Sequence, residues 1–207
     1  MTLRAATPAD LEDIMAIEHS SFPTDAWSSE SMAAELASPH NCYLVDVTDG
    51  VMIGYGGVRA LQGGADADIQ TIAFDATHRG KGLGRTLLRA LLDAAVERGA
   101  REVFLEVRAD NAGAHGLYLS EGFEEIGRRP RYYQPDDVDA IVMKLDLTRR
   151  ASPAASASVA SSSAPVSTSP VATPVREENS RSGGDSRAVA PPQRENSSAT
   201  NPQGAHA

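Results

Sequence analysis

Residues 68–107 carry, in order, an apolar strand-like run, a glycine loop, a long amphipathic helix and a second strand-like run. No other stretch narrows the possible folds so far. From 82 to 98 the apolar positions Leu83, Leu87, Leu88, Leu91, Leu92, Ala95 and Val96 recur at helical spacing, with Arg85, Arg89, Asp93 and Glu97 on the other face. Gly99 fits the position just past the helix end. In 102–107, Val103, Leu105 and Val107 face one way and Phe104 and Glu106 the other. A helix linking two strands makes a right-handed crossover, so these strands are expected to be parallel neighbours.

The loop Arg79-Gly80-Lys81-Gly82-Leu83-Gly84-Arg85 has the layout of an anion site. Glycines let the backbone turn tightly and approach a ligand. The N–H groups of a helix's first turn lack intrahelical partners and, with the helix dipole, converge on a phosphate. Lys81 and Arg85 add positive charge. The G-x-x-x-x-G-K-[ST] pattern is absent, because Lys81 is followed by Gly82 and by no Ser or Thr. G-x-G-x-x-G is absent too, since the glycines at 80, 82 and 84 are spaced by two throughout. What remains is R/Q-x-x-G-x-G/A, satisfied by Arg79, Gly82 and Gly84. A glycine turn that merely caps the helix satisfies the same residues.

Residues 3–6 read as a first strand. Thr7-Pro8-Ala9-Asp10 supplies a cap, a proline at the first helical position and an acidic first turn, for a helix to about Ser20 through Leu11, Ile14, Met15 and Ile17. The loop 20–27 holds Phe22, Pro23 and the sole tryptophan, Trp27, as core anchors or as a wall beside a ligand. Ser28 caps a second helix to about Ala37. Runs 41–47 and 51–61 are strands joined at Asp49-Gly50, a hairpin signal, and Gln62-Gly63-Gly64 turns the chain into run 68–74. Asp110-Asn111 caps a helix through about Glu121, stopped by Gly122. Gly113 and Gly116 inside it each cost about 1 kcal/mol relative to alanine, so that helix needs tertiary support. Runs 123–128 and 140–145 are the last strands, joined by a loop containing Tyr132, Tyr133 and Pro135. The expected class is α/β: a mixed, largely antiparallel sheet of about seven strands with about four helices, ending near Arg150.

Composition supports one domain over residues 1–150 and a disordered tail over 151–207, where Ala, Ser, Pro, Thr and Gly dominate and Val159, Val166, Val171, Val175 and Val189 are the only large apolar residues. The tail holds 4 Lys+Arg and 4 Asp+Glu, so the net charge of −9 belongs to the domain. That balance argues against nucleic acid as a direct ligand and favours a basic peptide or protein, although it equally serves solubility. Cys42 is the only cysteine, which rules out an intramolecular disulfide or a cysteine-based metal cluster. With no apolar signal region and no run near 20 apolar residues, a soluble cytoplasmic protein without a membrane partner is expected.

Glu106 closes its strand at the carboxyl end, where ligands of open α/β sheets sit, and apolar neighbours there would tune a carboxylate for general-base work. A surface carboxylate at a strand end fits the same position. Asn111 and Tyr118, two turns apart, share a helix face with His115 close by. Tyr118 is then a site residue or a core tyrosine, and His115 a solvated helix residue.

The Arg79, Gly82, Gly84 pattern resembles the pyrophosphate loop of the GNAT acetyltransferases, which bind acetyl-coenzyme A. Residues 105–111, Leu-Glu-Val-Arg-Ala-Asp-Asn, followed by Leu117-Tyr118 and Gly122-Phe123, resemble the C-terminal half of the RimI group of that family. Phe22-Pro23, Trp27-Ser28 and the runs 131–135 and 139–143 also look like that group, so the resemblance spans residues 2–147 and leaves out the tail. It implies the GNAT fold and acetylation of the N-terminal alanine of a basic ribosomal protein, the eighteenth of the small subunit. It implies direct attack on acetyl-coenzyme A in a ternary complex, with no metal. Glu106 is implied as proton acceptor and Tyr118 as proton donor to the coenzyme A sulfur. Ile72, Ala73 and Phe74 are implied to line the cofactor, Arg79, Gly80, Lys81, Gly82, Leu83, Gly84 and Arg85 to hold its pyrophosphate, and Asn111 to contact its arm. Arg79 where Gln is frequent, Phe74 where a small aliphatic is usual and the two helix glycines depart from the common pattern. Competing functions are acetylation of lysine side chains or small-molecule amines, and a coenzyme A-binding regulatory module without turnover. Cys42 is expected to pack.

Overall fold

The computed structural model describes residues 2–149; the expected tail lies outside the described residues. The strands are β1 (Thr2–Ala5), β2 (Asn41–Thr48), β3 (Val51–Ala60), β4 (Asp66–Phe74), β5 (Glu102–Arg108), β6 (Glu124–Tyr133) and β7 (Val138–Asp146). The helices are α1 (Leu11–Ser21), α2 (Ser29–Ala37), α3 (Leu83–Glu97) and α4 (Ala112–Ser120). One seven-stranded sheet runs β1-β2-β3-β4-β5-β7-β6. The α3 crossover makes β4 and β5 its parallel pair, as the helix between two strands predicts, and the other neighbours are antiparallel.

Apolar side chains are buried on both faces of the sheet. Leu87, Leu88, Leu91 and Leu92 of α3 pack with Val103, Leu105 and Val107 of β5, and Tyr118 and Phe123 join them from α4 and its end. On the opposite face Ile14, Met15, Trp27 and Met32 pack with Tyr43, Val45 and Tyr55. Glu18, fully buried, fixes the α1–α2 loop: it accepts from the Trp27 backbone N–H at 2.9 Å and from the Tyr55 hydroxyl. Trp27 and the partly buried Phe22 are core anchors. Cys42 packs half-buried, and burial pushes its thiol pKa up.

Two features of the sheet create a site. The β4–β5 ladder holds only at Asp66–Glu102, Ala67–Val103 and Asp68–Phe104. Beyond it β4 stays with β3 as far as Phe74 and β5 with β7 as far as Arg108, so the strands part. The β3–β4 register also slips, with Gly57 opposite Thr71 and Val58 opposite Ile69, which leaves Gln70 as an extra residue in β4. Such a bulge bends its strand and reverses which face later side chains take. Ala67 and Ile69 accordingly pack on the α3 side and Ala73 on the α1 side.

Three boundaries differ from expectation. Pro8–Asp10 forms a 3-10 turn before α1, because the Asp10 carboxylate folds back to accept the Thr7 N–H at 2.7 Å and a two-pronged bond from Arg4 at 2.7 and 2.8 Å. Tyr132 and Tyr133 end β6 instead of lying in a loop. A register shift after Arg129, with Arg131 at φ +51°, lets the strand resume at Tyr133. Asn111 alone caps α4, its Oδ1 accepting the Ala114 N–H at 3.0 Å.

Candidate active site

The glycine loop sits where β4 hands over to α3. Gly80 and Gly82 have φ of +74° and +81°, a region costly for any residue with a Cβ, and open space lies before both. Among the described residues, none of the N–H groups from Gly80 to Gly84 is spent on a backbone hydrogen bond. A left-handed turn followed by a helix start is an anion cradle. Leu83 and Gly84 belong to the first turn of α3, Ile72, Ala73 and Phe74 lie on β4 where it has left β5, and Lys81 is exposed on the loop. This donor set fits a pyrophosphate.

Two of the expected cations are otherwise engaged. Arg79 donates from Nε to the Phe74 carbonyl at 2.9 Å and from Nη2 to Ser21 Oγ at 3.0 Å, so its guanidinium ties the loop to β4 and α1. Arg85 donates to Ser120 Oγ at 2.9 Å and lies 3.1 Å from Glu121, which Arg89 also grips at 2.8 and 2.9 Å. That clamp is the tertiary support that α4 needs against its two glycines.

Tyr118 points from α4 into the α3-side core, edge-on to Phe123 at 5.7 Å between centroids. Burial pushes its phenol pKa up to about 12, so it holds its proton. Asn111 is the cap of α4, one residue outside its helical turns, two turns before Tyr118. His115 is not a solvated residue; its Nε2 lies 2.8 Å from Glu125.

Glu106 occupies the opposite face of β5, at the parting of the strands. The expectation of apolar neighbours is corrected here: its Oε1 lies 3.0 Å from the Arg129 guanidinium of β6, and its side chain is 12% exposed. Glu106 pairs with Val142 and Arg129 with Ala140, which places the two side chains on one face two strands apart. The Tyr133 hydroxyl donates to the Glu106 carbonyl at 3.4 Å. Arg108, over the Tyr133 ring at 5.2 Å, bonds Asp110 and lies 3.0 Å from Asp136, which accepts from Thr24 of the α1–α2 loop at 3.0 Å. The roles of Arg129, Arg108, Tyr133 and Asp136 were not read from the sequence. Their pairing depends on the long β6 and its bulge, for which the run Arg128-Arg129-Pro130-Arg131 gives no periodic signal.

Sheet, parting strands and glycine loop define an acyltransferase scaffold, and the chain belongs to the acetyltransferase (GNAT) family, whose model matches residues 11–123. It is 40% identical over 149 residues to the N-alpha-acetyltransferase RimI of Mycobacterium tuberculosis, covering 70% of this chain and 92% of that one. It is 41% identical over 141 residues to an uncharacterized Mycobacterium leprae protein, covering 67% of this chain but 38% of that longer one. Among solved structures, the ribosomal-protein-S18-alanine N-acetyltransferase of Escherichia coli superposes with a TM-score of 0.64 at 32% identity, over 70% of this chain and 92% of that one.

Proposed function

We propose that this chain transfers an acetyl group from acetyl-coenzyme A to a protein N-terminal α-amine, with the alanine of ribosomal protein S18 as acceptor. The supporting observation is the parting of β4 and β5. The opening joins a face carrying the glycine loop and Tyr118 to a face carrying Glu106. A donor bound on one face thus meets an acceptor on the other. The Escherichia coli and Mycobacterium tuberculosis relatives, named for this chemistry, favour the same reading.

Acetyl-coenzyme A supplies an acyl group on a thiol leaving group. The N–H groups from Gly80 to Gly84, with Lys81, hold its pyrophosphate, and the β4 backbone at Ile72, Ala73 and Phe74 orients its arm. Arg79 and Arg85 keep the loop and helix start in place, and the amide nitrogen of Asn111 is left for the cofactor arm. Glu106 accepts a proton from the acceptor ammonium at its carboxylate. An α-amine has a pKa of about 8, so roughly one molecule in ten is already neutral at pH 7 and the base has little to supply. Tyr118 donates a hydrogen bond toward the sulfur. Full transfer from a phenol at about 12 to a thiolate of pKa about 8.5 would run uphill by about 5 kcal/mol.

The test offers two peptides matching the start of the host's S18 protein, one with a free N-terminal alanine and one with that amine blocked, and locates the acetyl group by mass spectrometry. Acetyl on the free α-amine alone is expected. Label on lysine in both peptides, or thiol release with small amines only, overturns the acceptor assignment.

A further inference from the structure

Thr71 stands on β4 just past the extra residue Gln70, where β4 has left β5. Its cross-strand partner is Gly57, and a Cβ on that glycine would run into the Tyr43 ring. Tyr43 belongs to the core on the α1 side of the sheet, and residues directly opposite on paired strands share a face, so Thr71 looks to the α1 side. The alternation along β4 agrees, with Ile72 and Phe74 packed on the α3 side and Ala73 on the α1 side. Glu106 looks the same way as Thr71. The last rung between the parting strands joins Asp68 to Phe104, and the bulge spends one residue of β4. Three steps along β4, from Asp68 to Thr71, therefore match two along β5, from Phe104 to Glu106. Thr71 and Glu106 stand level on opposite sides of the opening. Thr71 is 6% exposed, and its hydroxyl, shielded from solvent, has no hydrogen-bond partner among the described residues.

A buried hydroxyl without a partner is costly, and the cost is recovered when a ligand supplies the missing bond. We propose that Thr71 binds the acceptor amine, its Oγ1 accepting one N–H of the α-amine while Glu106 takes the proton from another. This rests on the reading of the site as an N-terminal acetyltransferase. An α-ammonium carries three N–H bonds in a tripod. Glu106, with the Arg129 guanidinium 3.0 Å from one oxygen, meets the tripod from β5, and Thr71 meets it from β4. When the proton leaves for Glu106, its N–H bond breaks with the electron pair left on nitrogen, and two N–H bonds remain. The one held by Thr71 fixes rotation about the Cα–N bond, so the new lone pair points through the opening toward the thioester carbon. An uncharged hydroxyl holds the ammonium and the amine alike, and no proton of its own has to move.

The experiment compares the native chain with Thr71→Val and Thr71→Ser on two peptides matching the start of the host's S18 protein. One begins with alanine, and in the other a propionyl group replaces that alanine, so that only the amine is missing. Calorimetric titration onto the chain saturated with coenzyme A measures binding of both, and steady-state assays measure acetyl transfer to the first, with thermal melting alongside. Thr71→Val keeps the shape and drops the hydroxyl. It is expected to weaken the amino peptide by about 10-fold or more, to leave the propionyl peptide within about twofold and to lower kcat by about 10-fold. Thr71→Ser, which restores the hydroxyl, is expected to recover most of both losses. The acetyl-coenzyme A KM should stay within about twofold, and the melting temperature of Thr71→Val should hold or rise, since an unpaired hydroxyl is removed. If Thr71→Val binds and acetylates the amino peptide as the native chain does, or weakens both peptides alike, the inference is overturned while the acetyltransferase reading stands. If the native chain leaves the free α-amine unacetylated, that reading falls and the inference falls with it.

Discussion

A phenol whose pKa burial pushes up to about 12 keeps its proton throughout the range in which an α-amine becomes nucleophilic, so the role proposed for Tyr118 is a hydrogen bond to developing charge on sulfur without loss of its proton. Tyr118→Phe keeps the ring against Phe123 and removes only the donor. It should lower kcat by about 100-fold with little change in the acetyl-coenzyme A KM, in steady-state assays of thiol release. A fall in KM affinity with kcat kept would make the hydroxyl a binding group instead. Asp68 makes a separate statement about stability. Its folded pKa of about 6 lies above the unfolded value of about 3.9, so its burial costs nothing below pH 4 and about 3 kcal/mol once pH has risen through 6. Asp68→Asn should therefore stabilise the chain at pH 7 and not at pH 4, as chemical denaturation at the two values would show. Residue types were legible where one strand period or one motif decides them, as for Glu106 and the loop glycines. The Arg129 partner of Glu106 was not, because that contact bridges two strands whose order follows only from the assembled sheet.

Elements fared better than their ends. The seven strands and four helices follow the expected order, since amphipathic period, caps and hairpin turns are local signals. The Gln70 bulge and the extension of β6 to Tyr133 depend on what the neighbouring strand does, and residues 69–74 read equally well as an unbroken strand. The parting of β4 and β5 is likewise a property of two strands that each prefer their other neighbour. The turn into α3 was legible, and its geometry sets a test. At Gly82, with φ +81° and open space ahead, a methyl group meets no atom but must sit in a left-handed backbone. Gly82→Ala should cost about 1 kcal/mol of stability, from backbone strain alone. With the pyrophosphate held as proposed, it should also raise the acetyl-coenzyme A KM by about 10-fold or more, because the methyl would then stand where the phosphates approach the N–H groups. An unchanged KM in a variant that melts slightly lower would leave the loop as a helix cap only.

At the scale of the molecule, charge links the fold to its acceptor. The −9 balance falls within residues 1–150, and the carboxylates of Glu106, Asp110 and Asp136 gather around the arginines of the site to which the acceptor is assigned above. Arg129 and Arg108 neutralise part of that field, so what remains acts over distances of about a Debye length, roughly 10 Å at 0.1 M salt. A basic acceptor should feel it before contact and a neutral one should not. Two peptides sharing the same N-terminal residues, one followed by lysines and arginines and one by serines, separate this from contacts at the terminus. For the basic peptide kcat/KM should fall several-fold between about 0.05 and 0.5 M sodium chloride, while the neutral peptide changes by less than about twofold. The loss should appear in KM, since salt does not reach the enclosed amine once it is seated. Equal salt responses for the two peptides would mean that the acidic surface serves solubility alone, and that recognition rests on the terminal residue and the groups around Glu106.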